Sequence, residues 1–146
     1  ITTLLKIYLA RKMIKLIMCL LIAGNANVSD LNLVIKGVDD IKGSMYIAVF
    51  DNAESFPDFG KQLVQKVLPV DAKTLNYTFK DLPHNDYAVA IFHDKNNNGK
   101  LDKNAFGIPL EPYGFSQNAR ARFSAPPFND AKIELKGNQA IEIVIQ

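Results

Sequence analysis

Apolar and polar residues alternate with a period of two from residue 30 onward. This period places every second side chain on the same face of an extended chain, so the pattern predicts β-strands with one buried face. Four runs show the alternation, and their apolar positions are Leu31, Leu33 and Ile35; Leu75, Tyr77 and Phe79; Ile133 and Leu135; and Ile141, Ile143 and Ile145. No segment after residue 30 has helical spacing over three turns.

Two further runs, residues 45–50 and 87–92, are apolar at almost every position. Strands of this kind are covered on both faces and lie in the middle of a sheet. Gly137 and Asn138 lie between the last two alternating runs and predict a two-residue hairpin turn there. About seven short strands at this spacing predict an all-β fold, a single antiparallel β-sandwich of immunoglobulin-like or transthyretin-like type over residues 27–146.

Residues 93–128 interrupt the strand pattern with a long segment that is polar and contains Gly and Pro. Loops of this length within a domain are usually functional or disordered. We expect an ordered loop because six of its apolar side chains are available to pack against the sandwich: Phe106, Ile108, Tyr113, Phe115, Phe123 and Phe128. The aromatic residues have two interpretations. Either they fasten the loop to the sheet, or they line a ligand-binding groove formed by Phe106, Tyr113, Phe115 and Ser116.

The first part of this loop has the spacing of oxygen-bearing side chains that calcium requires. Gly99, at the sixth position, permits the sharp turn of such a loop. The ion would take its ligands from alternate positions, which are Asp94, Asn96, Asn98, Lys100 through its carbonyl, and Asp102. The sequence therefore predicts a candidate Ca2+ site.

The twelfth position of an EF-hand loop holds a bidentate glutamate, and Ala105 occupies that position here. Glu111 is the residue that could fold back to supply the missing carboxylate. With so few carboxylates, the expected dissociation constant is that of weak extracellular sites, roughly 10⁻⁴ to 10⁻³ M. The alternative is a metal-free loop in which Asn and Asp side chains cap their own backbone.

The first 26 residues have the features of a targeting sequence. Met13 is the expected start, Lys15 supplies a positive charge, and residues 16–23 form an apolar segment. This segment is too short to span a bilayer, which takes about 20 helical residues. We expect a signal peptide that is cleaved after Ala26 and a periplasmic or extracellular location. An uncleaved membrane anchor is the alternative.

The composition of residues 27–146 argues against several partners. Without the four basic side chains of the first 26 residues, 13 basic residues remain against 15 acidic ones, which does not suit nucleic-acid binding. Cys19 is the only cysteine and lies in the predicted signal peptide, so a zinc or copper site would have two histidines and no thiol. We expect neither a nucleic-acid partner nor a transition metal.

His93 and Ser116 are the only candidates for a general base and a nucleophile. His93 directly precedes Asp94, and adjacent residues of a strand point to opposite faces, so these two side chains cannot easily act together. No Gly-x-Ser-x-Gly motif surrounds Ser116. We expect no enzymatic activity, with a hydrolase as the remaining alternative.

A series of short motifs between residues 82 and 131 is specific enough to indicate a family. The motifs are Leu82-Pro83, residues 87–90, Phe92-His93-Asp94, residues 98–102, 106–109 and 113–116, Asn118, residues 126–128 and Asp130-Ala131. They resemble the bacterial family called domain of unknown function 2141, whose members are exported. The resemblance implies an exported β-sandwich-like domain and implies no activity, substrate or partner. Asn85 and Pro112 depart from the family pattern.

Two functions from different classes fit these observations. The first is a calcium-stabilised binding module of the cell envelope, with an envelope protein or a glycan as its partner. The second is a metal-free structural module of the envelope, in which Asx-turns and aromatic side chains order the loop. The first predicts that calcium raises the melting temperature, and the second predicts no response to calcium.

Overall fold

The structure is a computed structural model that describes residues 27–146. The predicted start at Met13 and the predicted signal peptide lie outside the described residues. The elements are β1 (Val28–Lys36), β2 (Ser44–Phe50), β3 (Val64–Pro69), β4 (Leu75–Pro83), β5 (Asn85–Asp94), β6 (Tyr113–Phe115), a 3-10 turn (Ser116–Asn118), α1 (Phe128–Ala131), β7 (Ile133–Leu135) and β8 (Gln139–Val144). Among residues 27–146, no helix is long and apolar enough to cross a bilayer.

The strands form two sheets. One sheet has the order β4-β1-β8, and the other has the order β3-β2-β5-β6, with β7 paired to the first residues of β5. All strand pairs are antiparallel except β1 and β8, which run parallel. The predicted all-β sandwich is therefore confirmed, with eight strands in the described residues and one parallel pair.

The main hydrophobic core lies between the two sheets. Alternate residues of β1, β2 and β5 are almost fully buried there, namely Leu31, Leu33, Ile35, Met45, Ile47, Val49, Tyr87, Val89 and Ile91. Full burial of an aliphatic side chain of this size contributes about 1.5–3 kcal/mol. The alternation along β1 thus corresponds to a buried face, as predicted.

The outer face of β2 and β5 is covered as well. A second apolar cluster lies there, in which side chains of the two strands contact Phe56, Phe115 and Phe128 from neighbouring segments. The ring of Phe56 meets the rings of Phe115 and Phe128 edge-on, with centroid distances of 5.7 and 5.9 Å. Residues 45–50 and 87–92 therefore form central strands covered on both sides, as predicted.

Two features of the strand pattern differ from the prediction. β7 and β8 follow one another around Gly137 and Asn138 but pair with β5 and β1, so the predicted hairpin does not form between them. The alternation also does not indicate β3 or β6. β3 is an edge strand whose side chains are at most partly buried, and β6 has three residues, so neither strand requires a clear apolar pattern.

Candidate functional site

Asp94 is the last residue of β5 and opens the candidate loop. Its side chain is fully buried, and its carboxylate accepts hydrogen bonds from the backbone N–H groups of Asn98 (3.1 Å) and Gly99 (2.7 Å). Gly99 has a φ of +77°, a left-handed conformation that glycine adopts without strain. The chain therefore turns around the carboxylate of Asp94.

Asn96, Asn98 and Asp102 form a second part of the hydrogen-bond network. The amide nitrogens of Asn96 and Asn98 donate to the two carboxylate oxygens of Asp102, at 2.6 and 2.8 Å. The amide oxygen of Asn96 accepts from the N–H of Asn98 (3.1 Å), and the amide oxygen of Asn98 accepts from the N–H of Lys100 (2.9 Å). These Asx-turns are the arrangement that the metal-free interpretation predicts.

The side chain of Glu111 contacts the loop that begins at Asp94. Its side chain is 7% exposed, and its carboxylate accepts hydrogen bonds from the backbone N–H groups of Lys95 (2.8 Å) and Asp102 (3.1 Å). Glu111 thereby connects the beginning and the end of the nine-residue segment that starts at Asp94. The sequence alone cannot locate Glu111 relative to Asp94, because the turn between residues 102 and 111 determines the distance.

The carboxylates of Asp94, Asp102 and Glu111, here called the three loop carboxylates, all belong to this network. They bind hydrogen-bond donors and do not converge on one point. Within residues 27–146, no group of three histidine, cysteine, aspartate or glutamate side chains is arranged to hold a metal ion. Calcium binding therefore stays a prediction. The side chain of Lys100 is exposed, which suits a residue expected to contribute only its carbonyl.

The three loop carboxylates have neutral hydrogen-bond donors. None of the ion pairs formed among residues 27–146 involves them. The adjacent cation, Lys95, binds Asp39 instead, with Nζ 2.8 Å from the carboxylate oxygen. This hydrogen bond lowers the pKa of Asp39 and raises the pKa of Lys95. The charge of Lys95 is thus directed away from the loop.

The loop continues into an exposed turn around Asn104. The Asn104 side-chain oxygen accepts hydrogen bonds from the N–H groups of Phe106 (2.9 Å) and Ile108 (3.0 Å). The side chains of Phe106 and Ile108 are 88% and 58% exposed, and that of Phe123 is 92% exposed. The expectation that these three residues pack against the sandwich is wrong. At Phe106 and Ile108, hydrogen bonds to Asn104 order the backbone without burying the side chains.

The structure does not gather Phe106, Tyr113, Phe115 and Ser116 into one ligand groove. Phe115 is buried in the outer cluster, and the half-buried Tyr113 packs edge-on against it at 5.8 Å between centroids. Ser116 is fully buried, and its Oγ accepts from the N–H of Val89 (2.8 Å) and donates to a carbonyl of α1 (2.5 Å). Tyr113 and Phe115 therefore fasten the loop to the sheet, which is the other interpretation of this region.

His93 and Ser116 lie far apart. Ser116 contacts Val89, whereas His93 is four residues further along β5, a separation of roughly 13 Å at about 3.3 Å per residue. His93 is fully buried, its Nε2 lies 2.7 Å from the carbonyl oxygen of Lys42, and its backbone N–H donates to that of Pro112 (2.8 Å). His93 thus connects the end of β5 to two loops and forms no nucleophile–base pair with Ser116.

A groove that the sequence pattern does not indicate lies beside the candidate loop. Its volume is about 370 Å3, and among its lining residues are Tyr46, Phe59, Gln65, Phe92 and Lys100; we call it the Tyr46 groove. Tyr46 and Phe92 pair across β2 and β5 on the outer face of the sheet. The sequence marks both only as strand residues, because the groove exists where two distant loops meet over them.

Comparison with curated proteins and with solved structures gave no significant match. A protein-family model described as "Uncharacterized protein conserved in bacteria (DUF2141)" matches residues 33–143. The match includes the last four residues of β1, most of β8 and the whole candidate loop. The chain therefore belongs to the bacterial DUF2141 family, as the motifs between residues 82 and 131 indicate.

Proposed function

We propose that this protein is a non-catalytic binding module of the bacterial cell envelope, exported to the periplasm or beyond, whose loop binds calcium weakly. The observation that carries the proposal is that the three loop carboxylates share one hydrogen-bond network in which every donor is neutral. Asp94 is fully buried and Glu111 is 7% exposed, yet no cationic side chain is paired with either among residues 27–146. Buried charges in proteins are usually paired or bound to a metal ion.

A calcium ion would provide a positive charge bound directly to the three loop carboxylates. The oxygens available to it are those of the three loop carboxylates, the carbonyl of Lys100 and the amide oxygens of Asn96 and Asn98, and calcium takes six to eight oxygen ligands. Binding would compete with the hydrogen bonds from the two amide groups to Asp102. Because an amide can rotate to present its oxygen in place of its nitrogen, this competition weakens binding without preventing it.

Thermal unfolding in calcium tests the proposal, with EDTA and magnesium as references. At a calcium concentration about ten times the dissociation constant, binding to the folded state adds about 1.4 kcal/mol and raises the melting temperature by a few degrees. Asp102→Asn should abolish this rise because it removes one of the three loop carboxylates. Asp71→Asn is the matched control, since Asp71 is exposed between β3 and β4 and lies outside the loop.

A metal-free structural module is the second candidate function. It is favoured by the Asx-turns and by the donors that already bind both oxygens of each loop carboxylate. The same experiment separates the two functions. If calcium leaves the parent unchanged, or if Asp102→Asn responds as strongly as the parent, the calcium site is rejected and the metal-free module is retained.

A further inference from the structure

The Tyr46 groove has an aromatic floor on the outer face of β2 and β5. The rings of Tyr46 and Phe92 are stacked with their centroids 4.8 Å apart and their planes within 9°. Phe59 approaches Phe92 edge-on, also at 4.8 Å between centroids, and its side chain is 37% exposed. Tyr46 is half-buried, so the groove offers solvent two aromatic side chains supported by a third. An apolar surface of this kind favours a ligand with an apolar ring face.

Three hydrogen-bonding groups surround this floor. Gln65 accepts a hydrogen bond from Gln62 at its Oε1 (2.8 Å), which leaves its Nε2 as a donor. A Cβ added to Gly99 would lie 3.5 Å from the hydroxyl of Tyr46, so the lack of a side chain at position 99 leaves space beside this hydroxyl. The third group is the ammonium of Lys100, which is exposed and lines the groove.

The groove has a positive charge at its edge. Lys100 is its one charged lining residue, and none of the ion pairs among residues 27–146 involves Lys100. A ligand with a carboxylate would therefore meet a free cation without competing against a protein carboxylate. Charge-assisted hydrogen bonds of this kind are stronger than those between neutral groups.

We propose that the Tyr46 groove binds an acidic sugar residue of a glycan. The sugar carboxylate binds Lys100, its hydroxyls bind Gln65 and the hydroxyl of Tyr46, and the C–H face of its ring packs on the aromatic floor. A sugar acid has a carboxylate for Lys100 and hydroxyls for Gln65 and the hydroxyl of Tyr46. A simple aromatic acid has only its carboxylate and would leave the two neutral groups without partners. A volume of about 370 Å3 falls in the range of small-molecule sites, which runs from about 300 to 1,000 Å3.

The candidate loop forms one wall of this groove through Gly99, Lys100 and Leu101. The backbone of this wall is held by the hydrogen bond from the N–H of Gly99 to Asp94 and by that from the N–H of Lys100 to Asn98. A wall that is ordered before binding reduces the entropy lost when the ligand binds. The proposal therefore rests on the proposed binding function and specifies its ligand.

Isothermal titration of the full-length protein with short acidic glycans tests the proposal. The probes are trimers of galacturonic acid and of mannuronic acid, with their methyl esters as neutral references, all in EDTA. We expect binding of at least one acidic trimer and about tenfold weaker binding of its ester, a loss typical of a charge-assisted hydrogen bond. Absence of binding to both acidic trimers, or equal binding of acid and ester, would overturn the proposal.

Two substitutions locate the binding site, each with a matched control. Lys100→Gln should weaken binding of the acidic trimer about fivefold to tenfold, whereas Lys80→Gln, the same change at an exposed lysine of β4, should not. Phe59→Ala should remove measurable binding, whereas Phe123→Ala, at a ring that is 92% exposed elsewhere, should not. If all four variants bind as the parent does, the Tyr46 groove is not the site.

The calcium and glycan proposals fail in different ways. Because the titrations are made in EDTA, glycan binding without any calcium response would retain the Tyr46 groove and reject the calcium site. A calcium response without glycan binding would retain the calcium site and reject the Tyr46 groove as a glycan site. Folding of Phe59→Ala is checked independently of both proposals, by a cooperative thermal transition in EDTA like that of the parent.

Discussion

Tyr87 combines burial with a single hydrogen bond at the point where the chain passes from one sheet to the other. Its side chain is 1% exposed, and its hydroxyl donates to the carbonyl of Pro83 at 2.8 Å. A tyrosine that binds the backbone a few residues upstream, at the start of a strand, is also found in immunoglobulin-like sandwiches. Burial raises the pKa of Tyr87, because the ionised phenolate would lose its hydration in the core.

Tyr87→Phe tests this contribution and its dependence on pH. We expect a loss of about 1–2 kcal/mol in the free energy of unfolding at pH 7, because the carbonyl of Pro83 loses its partner. Above the ordinary tyrosine pKa near 10, the unfolded parent ionises Tyr87 more readily than the folded parent does, so the parent loses stability as pH rises. Urea unfolding at pH 7 and pH 11 should therefore show a smaller difference between variant and parent at pH 11. A difference that is the same at both values would contradict this role.

The residue types at the candidate site are predictable from the sequence, but their positions are predictable only in part. The spacing of Asp94, Asn98 and Asp102 indicates a tight loop because the turn is local. Glu111 reaches the loop through a turn held by Asn104. No short-range sequence pattern predicts the distance between Glu111 and Asp94. The exposure of Phe106 is unpredictable for the same reason, because an apolar residue in a loop is buried only if the backbone brings it to the sheet.

At the level of elements, β2 and β5 determine where the candidate loop begins. Ser44 of β2 pairs with Asp94, and Gly43 directly precedes this pair. Gly43 has a φ of +72°, and a Cβ at this position would lie 2.1 Å from the carbonyl oxygen of Asp94. The two loops thus approach each other more closely than any side chain at position 43 would allow.

Gly43→Ala should therefore destabilise the protein by roughly 2–4 kcal/mol, through left-handed strain and a contact with backbone that cannot move freely. Gly137→Ala is the matched control, because no atom lies within 4 Å of the added Cβ and its φ is not left-handed. Chemical unfolding of both variants measures the difference. Equal stability of the two variants would show that the close approach at Asp94 contributes nothing specific.

The pairing of elements shows which part of the fold local patterns can predict. The core strands β2 and β5 are recognisable because burial on both faces requires apolar residues at successive positions. Gly137 and Asn138 separate two strands as the sequence indicates, but the predicted hairpin is absent, because a change of chain direction does not determine which strands pair after it. β8 pairs with β1 from the opposite end of the described chain, and this parallel contact depends on long-range burial of Ile143 and Ile145.

At the scale of the whole molecule, backbone hydrogen bonds hold the residues near both ends of the described chain against the sandwich. β1 begins at Val28, and the carbonyl of Asn27 accepts a hydrogen bond from the N–H of His84 (2.8 Å). The backbone N–H of Ile145 donates to the carbonyl of Lys36 (2.9 Å). A chain beginning at Asn27 would therefore retain every contact of β1 described above.

The cleavage after Ala26 stays a prediction and can be tested directly. In bacteria expressing the full sequence, mass spectrometry of the periplasmic or secreted fraction should identify Asn27 as the first residue. Ala26→Tyr should retain the first 26 residues, because a large side chain at the cleavage position is not accepted by signal peptidase, which requires small residues there. Recovery of the parent uncleaved in the membrane fraction would instead identify an anchor, and recovery in the cytoplasm would contradict export. A glycan-binding role in the envelope requires the first outcome or the anchored form, because only these place the Tyr46 groove where envelope glycans occur.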